Sequence, residues 1–145
     1  MKCVSLAFML LATVALGCGR RGMESTVSGT VTVAGKPVPA GVRVEFLPQT
    51  PGASPSNGVT DASGRYVLWF NAYVAGAIPG DHVVAASVPR ASNPDGTPGG
   101  VVPGLEHIHI PEAYSGPTSP LRHSVKPGRN VIDINLPAAA PRTPK

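Results

Sequence analysis

Cysteine is almost missing from this chain: two in 145 residues, Cys3 and Cys18, both near the N-terminus. Whatever folds beyond Cys18 is therefore held by its core alone, without a disulfide. Aromatic residues make up 5% of the chain and charged residues 14%. The formal charge of +4 comes from scattered bases, Arg20 and Arg21 being the exception. No basic stripe interleaved with aromatics appears, which argues against nucleic acid as a partner. The longest apolar region, Val4 to Leu16, has thirteen residues, against about 20 for a helix that spans a bilayer. Beyond that region no segment carries the 3.6-residue period of an amphipathic helix. No G-x-S-x-G occurs, and no nucleophile, base and orienting acid stand in a recognisable arrangement. Catalysis is not expected, and no cofactor is implied.

What is present begins with a leader. Lys2 followed by VSLAFMLLATVAL has the charged and apolar regions of a secretory signal peptide, expected to occupy residues 1–17. Ala15-Leu16-Gly17-Cys18 places small residues at −3 and −1 of a cut before Cys18. This end resembles the lipobox of bacterial lipoproteins, with Ala15 and Leu16 in the reverse of the usual order. The resemblance implies that the Cys18 thiol is diacylglycerylated, the leader removed and the new amine acylated. Each buried CH2 adds about 0.8 kcal/mol, so two or three chains anchor a protein stably. Arg20 and Arg21 would lie beside anionic headgroups, each contributing about 1 kcal/mol. Residues 18–25 are expected to form a lipid-anchored tether. Gly19 is not the aspartate that retains enteric lipoproteins in the inner membrane, so the outer membrane is favoured.

From Thr26 onward the apolar period is two, the mark of half-buried strands. Val27, Val31 and Val33 share one face with Gly29, whereas Ser28, Thr30 and Thr32 share the other. VRVEFLP follows a Gly/Pro turn, with Val42, Val44 and Phe46 inward and Arg43 and Glu45 outward. In GVTDASGRYVLWF (Gly58 to Phe70), Asp61 can accept backbone N–H groups across a tight turn and Gly64 supplies a left-handed residue. A lone carboxylate there reads as a hairpin turn rather than a calcium loop. Tyr66, Leu68 and Phe70 alternate with Arg65, Val67 and Trp69, so this strand is apolar on both faces. Val84, Ala86 and Val88 form one face of the next strand.

Pro89 to Gly104 holds eight Pro or Gly in sixteen residues; no strand is expected there, and the segment reads as a mobile insertion. Leu121 to Leu136 is expected to close the fold as two strands around Lys126-Pro127-Gly128, with Ile132, Ile134 and Leu136 facing the core. Residues 137–145 read as a disordered tail. About seven short strands divided by Gly/Pro turns argue an all-β fold over residues 26–136, a single antiparallel sandwich.

The order of GTVTVAGKPVPAGVRVEFLP, VTDASGRYVL, IPGDHVV and IPEAYSGPTSPLRHSVKPGRNVIDINL resembles the carboxypeptidase regulatory-like, transthyretin-like β-sandwich module. Its form in small bacterial, planctomycete-type lipoproteins is the nearest likeness, over Val27 to Leu136. The resemblance implies a prealbumin-like Greek-key sandwich. In carboxypeptidases this module is an appendage to the peptidase and carries no catalytic residues. One transthyretin-like relative hydrolyses hydroxyisourate near a C-terminal Tyr-Arg-Gly-Ser. This chain ends its last strand as NVIDINL and has no such tetrapeptide.

Two kinds of candidate site remain. If Glu106 to Ile110 is a strand, Ile108 and Ile110 face the core while His107 and His109 face solvent together. That pair is a weak candidate for copper or zinc, since a closed zinc site takes four ligands. His123 alternates with Leu121 and Val125 on the inward side, and His82 begins a strand. The other candidate is a glycan or protein surface using the Arg90 to Gly104 loop with Trp69, Tyr73 and Tyr114 as stacking residues. The expected role is non-catalytic, structural, adhesive or accessory, with an envelope protein or a polysaccharide as partner and a metal or glycan module as the alternative. Oligomeric state is left open.

Overall fold

The structure, a computed structural model, describes residues 25–139. The expected signal peptide, Cys18, nearly all of the tether and residues 140–145 of the tail lie outside the described residues. Thirteen short strands run in chain order as β1 (Ser25–Val33), β2 (Lys36–Pro37), β3 (Arg43–Pro48), β4 (Ser56–Val59), β5 (Arg65–Val67) and β6 (Trp69–Asn71). They continue as β7 (Val74–Ala75), β8 (Gly80–Ser87), β9 (Arg90–Ser92), β10 (Pro98–Val101), β11 (Arg122–Val125), β12 (Gly128–Val131) and β13 (Ile134–Leu136). The one helical element among the described residues is a 3-10 turn at Glu112–Tyr114. The fold is all-β. No helix among the described residues is long and apolar enough to cross a membrane.

One sheet is antiparallel, in the order β11-β8-β3-β4-β6-β7. The other is built on β1, which takes β12 and β13 along one side and β5 and β2 along the other. Both sheets feed a single core. Val27, Val31, Tyr66 and Ile134 come from the β1 sheet, and Val44, Phe46, Val84 and Val125 from the larger one. The alternation of β3 appears as expected, with Val44 and Phe46 fully buried and Arg43 exposed. The Phe46 and Tyr66 rings, 6.4 Å apart, join the two sheets.

Several expectations change. The pairing is not wholly antiparallel, because β12 and β13 run parallel to β1. The closing segment makes three strands rather than two: β11 joins the larger sheet beside β8, and β12 and β13 cross over to β1. Lys126–Gly128 is the crossover turn. The Asn130 side chain holds it, accepting from the Lys126 N–H at 2.9 Å and donating to the Lys126 carbonyl at 2.8 Å. The strand β1 includes Ser25, whose buried hydroxyl donates to the Ala77 carbonyl.

The Pro/Gly-rich segment does hold strands. β9 and β10 form a two-stranded hairpin whose turn is built by local polar chemistry. The Asp95 carboxylate accepts the Thr97 N–H at 2.9 Å, Asn93 Nδ2 donates to Thr97 Oγ1, and Gly96 sits at φ 82°. Gly99 has no Cβ to meet the Ala91 carbonyl, which lies 2.7 Å from where one would stand. Density of Pro and Gly does not by itself break a ladder: Pro98 stands in register with Ser92 at the start of β10, and Gly96 and Gly99 serve the turn and the close approach.

The break between β12 and β13 is the most constrained point. Ile132 turns its carbonyl toward Gly29, so a Cβ at Gly29 would lie 1.8 Å from that oxygen. The same oxygen accepts the Tyr66 hydroxyl at 2.7 Å, while Asp133 Oδ1 accepts the Thr30 N–H at 2.8 Å. Burial pushes the Tyr66 phenol well above its ordinary pKa, with the Asp133 carboxylate adding to the rise, so it stays protonated as a donor. Gly29→Ala is expected to destabilise the domain by about 3 kcal/mol or more, since backbone must move. Tyr66→Phe should cost about 1–2 kcal/mol. Urea unfolding midpoints check both; a neutral Gly29→Ala would contradict the close approach.

Candidate functional site

The strand from Arg65 to Asn71 belongs to both sheets. Arg65–Val67 pairs with β1 and Trp69–Asn71 with β4 and β7. Leu68 is the pivot: its N–H donates to the Val27 carbonyl and its own carbonyl accepts from Gly76. Its side chain is fully buried. Because one strand turns the corner, the outward faces of the two sheets meet at an angle and enclose an open groove of about 1180 Å3.

The register orders the groove's lining. Asn57 on β4 stands opposite both Glu45 on β3 and Trp69 on β6, so the three side chains share one outward row. Arg43 and Val59 are paired two residues further along. Across the corner, Ser28 faces Val67 on one side and Val131 on the other. Trp69 is 47% exposed, and Val59, Val67 and Val131 expose 46–65%. Gly58 is required at the corner, since a Cβ there would lie 2.6 Å from the Val67 carbonyl.

Charges in the groove divide into spent and unspent groups. Asp61 Oδ1 accepts the backbone N–H groups of Ser63 and Arg65, and its Oδ2 pairs with Arg65 Nε at 3.1 Å. The backbone N–H of Arg65 and then that of Ser63 pull the Asp61 carboxyl below its ordinary value. This is the turn expected from the DASG stretch. Asp133 is held by the Thr30 N–H. Arg43, Glu45, Asn57 and Arg129 make no side-chain hydrogen bond or ion pair among the described residues. Tryptophan is rare here, with one in the chain, and an exposed indole beside unspent planar polar groups is what a ligand surface requires.

The histidines are placed differently from the sequence expectation. Glu106 to Ile110 is not a strand but a turn followed by irregular chain. Leu105 anchors it, buried against Gly41, and Ile108 and Ile110 are half-buried while His107 and His109 are exposed. His109 Nδ1 lies 3.1 Å from the His107 carbonyl. His109 and Glu112 stand in an H-x-x-E spacing that the sequence reading missed, but Pro111 between them is extended at ψ 135°. Among the described residues no three His, Cys, Asp or Glu side chains gather as metal ligands.

His82 and His123 face each other across β8 and β11. His123 is half-buried, as its alternation implied, whereas His82 is 1% exposed. The His82 ring packs on Phe46 at 5.8 Å, with Nδ1 3.0 Å from the Gly80 carbonyl. Of the expected stacking residues, only Trp69 lines the groove. Tyr73 is 92% exposed elsewhere, and Tyr114 packs against the core. The groove's other members were not predicted, because they converge from strands distant in sequence.

Compared with known proteins, the chain matches no family model and no curated protein.

Two outcomes follow from the histidines. Burial lowers the His82 pKa despite the opposing pull of the Gly80 carbonyl and Asp81. The unfolded chain therefore takes the proton first as pH falls through about 6.5. Stability present above that value is lost below it, and the loss levels off below the native pKa. His82→Phe should lose less stability than the parent between pH 7.5 and 5.0 in urea titrations; equal losses would contradict the assignment. Zinc titration by calorimetry should show no site tighter than about micromolar, and no difference between the parent and His107→Ala/His109→Ala.

Proposed function

We propose that this chain is a non-catalytic cell-envelope lipoprotein, anchored through Cys18, whose β domain works as a recognition module through the corner groove. The all-β architecture agrees with the transthyretin-like, carboxypeptidase regulatory-like sandwich that the motif order resembles. The parallel closing strands are a specific point on which that kinship can be tested. The observation that carries the reading is the groove itself. It holds an exposed indole, three exposed valines and four polar side chains with no partner among the described residues. Water satisfies the polar groups, but an indole and three valines exposed around one groove make apolar surface that the core does not use.

Anchoring fits such a role. A lipidated N-terminus followed by a short tether presents the domain at a membrane surface, where the partner would be an envelope protein or polysaccharide. Cys18→Ala should leave an uncleaved or soluble product. Membrane fractionation of that variant, with normal maturation and membrane retention, would remove the anchor. A photo-crosslinking residue placed at Val131 in intact cells should give a discrete product. One placed at Pro94, exposed in the β9–β10 turn and outside the groove, should not. Equal patterns from both positions would remove the groove as the recognition surface.

A further inference from the structure

We propose that the groove takes a neutral polysaccharide, with one pyranose ring stacked on Trp69 and neighbouring hydroxyls held by Asn57, Glu45 and Arg43. This inference rests on the groove being the recognition surface and names its ligand class.

Geometry supplies the first argument. Ala75, Trp69, Asn57 and Glu45 lie side by side on four adjacent strands. Strands stand about 4.8 Å apart, which is close to the spacing of a pyranose ring and its substituents. Ala75 is small, so one flank of the indole is left open. A sugar has an apolar face of C–H groups and a rim of hydroxyls. The first matches an indole. The second matches a set of planar side chains that together donate and accept: an amide does both, a carboxylate accepts and a guanidinium donates.

Charge supplies the second. The groove carries Arg43, Arg65 and Arg129 against Glu45, Asp61 and Asp133, a balance of three to three. A polyanion such as a nucleic acid or an acidic glycan would meet as many carboxylates as guanidiniums. A neutral ligand has no such penalty.

Two other modes of occupation fit the groove less well. Glu45, Asn57 and Trp69 each have a neighbouring strand on both sides. That row has no free ladder of N–H and C=O groups, so a peptide cannot join it as an added strand; among the described residues, an open edge at the groove is the far side of β12. Two copies cannot meet groove to groove, because two concave faces do not fill each other.

Trp69 is the only tryptophan of the chain, so intrinsic fluorescence reports on the site directly. The full chain in detergent would be titrated with cellohexaose, chitohexaose and mannohexaose, and with hexagalacturonate as the charged counterpart. At least one neutral hexaose should give a saturable change in Trp69 emission, and hexagalacturonate should bind more weakly. By calorimetry, Trp69→Ala should weaken the neutral sugar about tenfold or more. Asn57→Ala keeps the fluorophore and should weaken it several-fold; both residues are exposed, so circular dichroism should show unchanged folding. No response to any neutral hexaose up to about 10 mM, or equal binding by Trp69→Ala, would overturn the proposal. Crosslinking from Val131 in the Trp69→Ala background separates the two readings. Lost crosslinks without sugar binding would make the groove a protein site; unchanged crosslinks without sugar binding would remove the groove altogether.

Discussion

Gly29 has no side chain, and the rest of the molecule is arranged around that gap. The Ile132 carbonyl enters the space a Cβ would fill and takes a hydrogen bond from Tyr66, which stands directly opposite Gly29 across the β1–β5 ladder. One oxygen thus ties β5, β1 and the β12–β13 break at a single point. Without it, the chain leaving β11 would have no fixed way to cross to the other sheet and run parallel to β1. Parallel pairs need a crossover connection and are slightly weaker per residue than antiparallel ones. The two ladders involved are four and three residues long. The Tyr66 hydroxyl and the Asp133 carboxylate supply bonds where the ladder itself is interrupted.

That same tyrosine sits two residues from the pivot at Leu68. Its ring faces Phe46 in the core, so Val67 and Trp69 on either side of Leu68 must face out. The groove is therefore a consequence of how the core is closed. A strand that serves two sheets presents alternate residues to the outer corner, and their exposure cannot be relieved without losing the burial of Tyr66 and Leu68. Groove chemistry and core stability are consequently separable. Arg43, Glu45, Asn57 and Trp69 can change with little effect on folding, while Gly29, Gly58, Tyr66 and Leu68 cannot.

Local periodicity made the strands legible. The outward Arg43 and Glu45, the buried Val44 and Phe46, the Asp61 turn and the half-buried His123 could all be read from neighbouring residues, because alternation and turn chemistry are short-range. What depends on partners was not legible. The parallel closure needs Gly29 and Ile132 to meet across 103 positions, a distance shared by the Thr30–Asp133 bond, and no period marks it. The β9–β10 hairpin is hidden because the density of Pro and Gly does not tell which positions of a turn they occupy. Asn93, Asp95 and Thr97 show where the turn falls. Glu106 to Ile110 alternates like a strand but has no neighbour to pair with among the described residues, so its alternation reflects Ile108 and Ile110 reaching the core from an irregular segment. Trp69 was visible as a lone indole. Its company was not, because Asn57, Glu45 and Val131 reach it through register.

The contrast between the two candidate sites has a physical cause. His107 and His109 lie on an irregular segment whose fixed points are Leu105 and the isoleucines, which hold the apolar side and leave the imidazoles to solvent. No ladder sets the distance between them, and His109 Nδ1 turns to the His107 carbonyl rather than to its imidazole; a metal site depends on distances held within tenths of an ångström. The groove's side chains stand on β3, β4 and β6, where ladder spacing fixes their separation before any ligand arrives. Preorganisation of that kind reduces what binding must spend on ordering side chains. A rigid row with one indole suits a ligand that is itself rigid and repeats on a similar length. A pyranose chain meets that condition better than a flexible peptide.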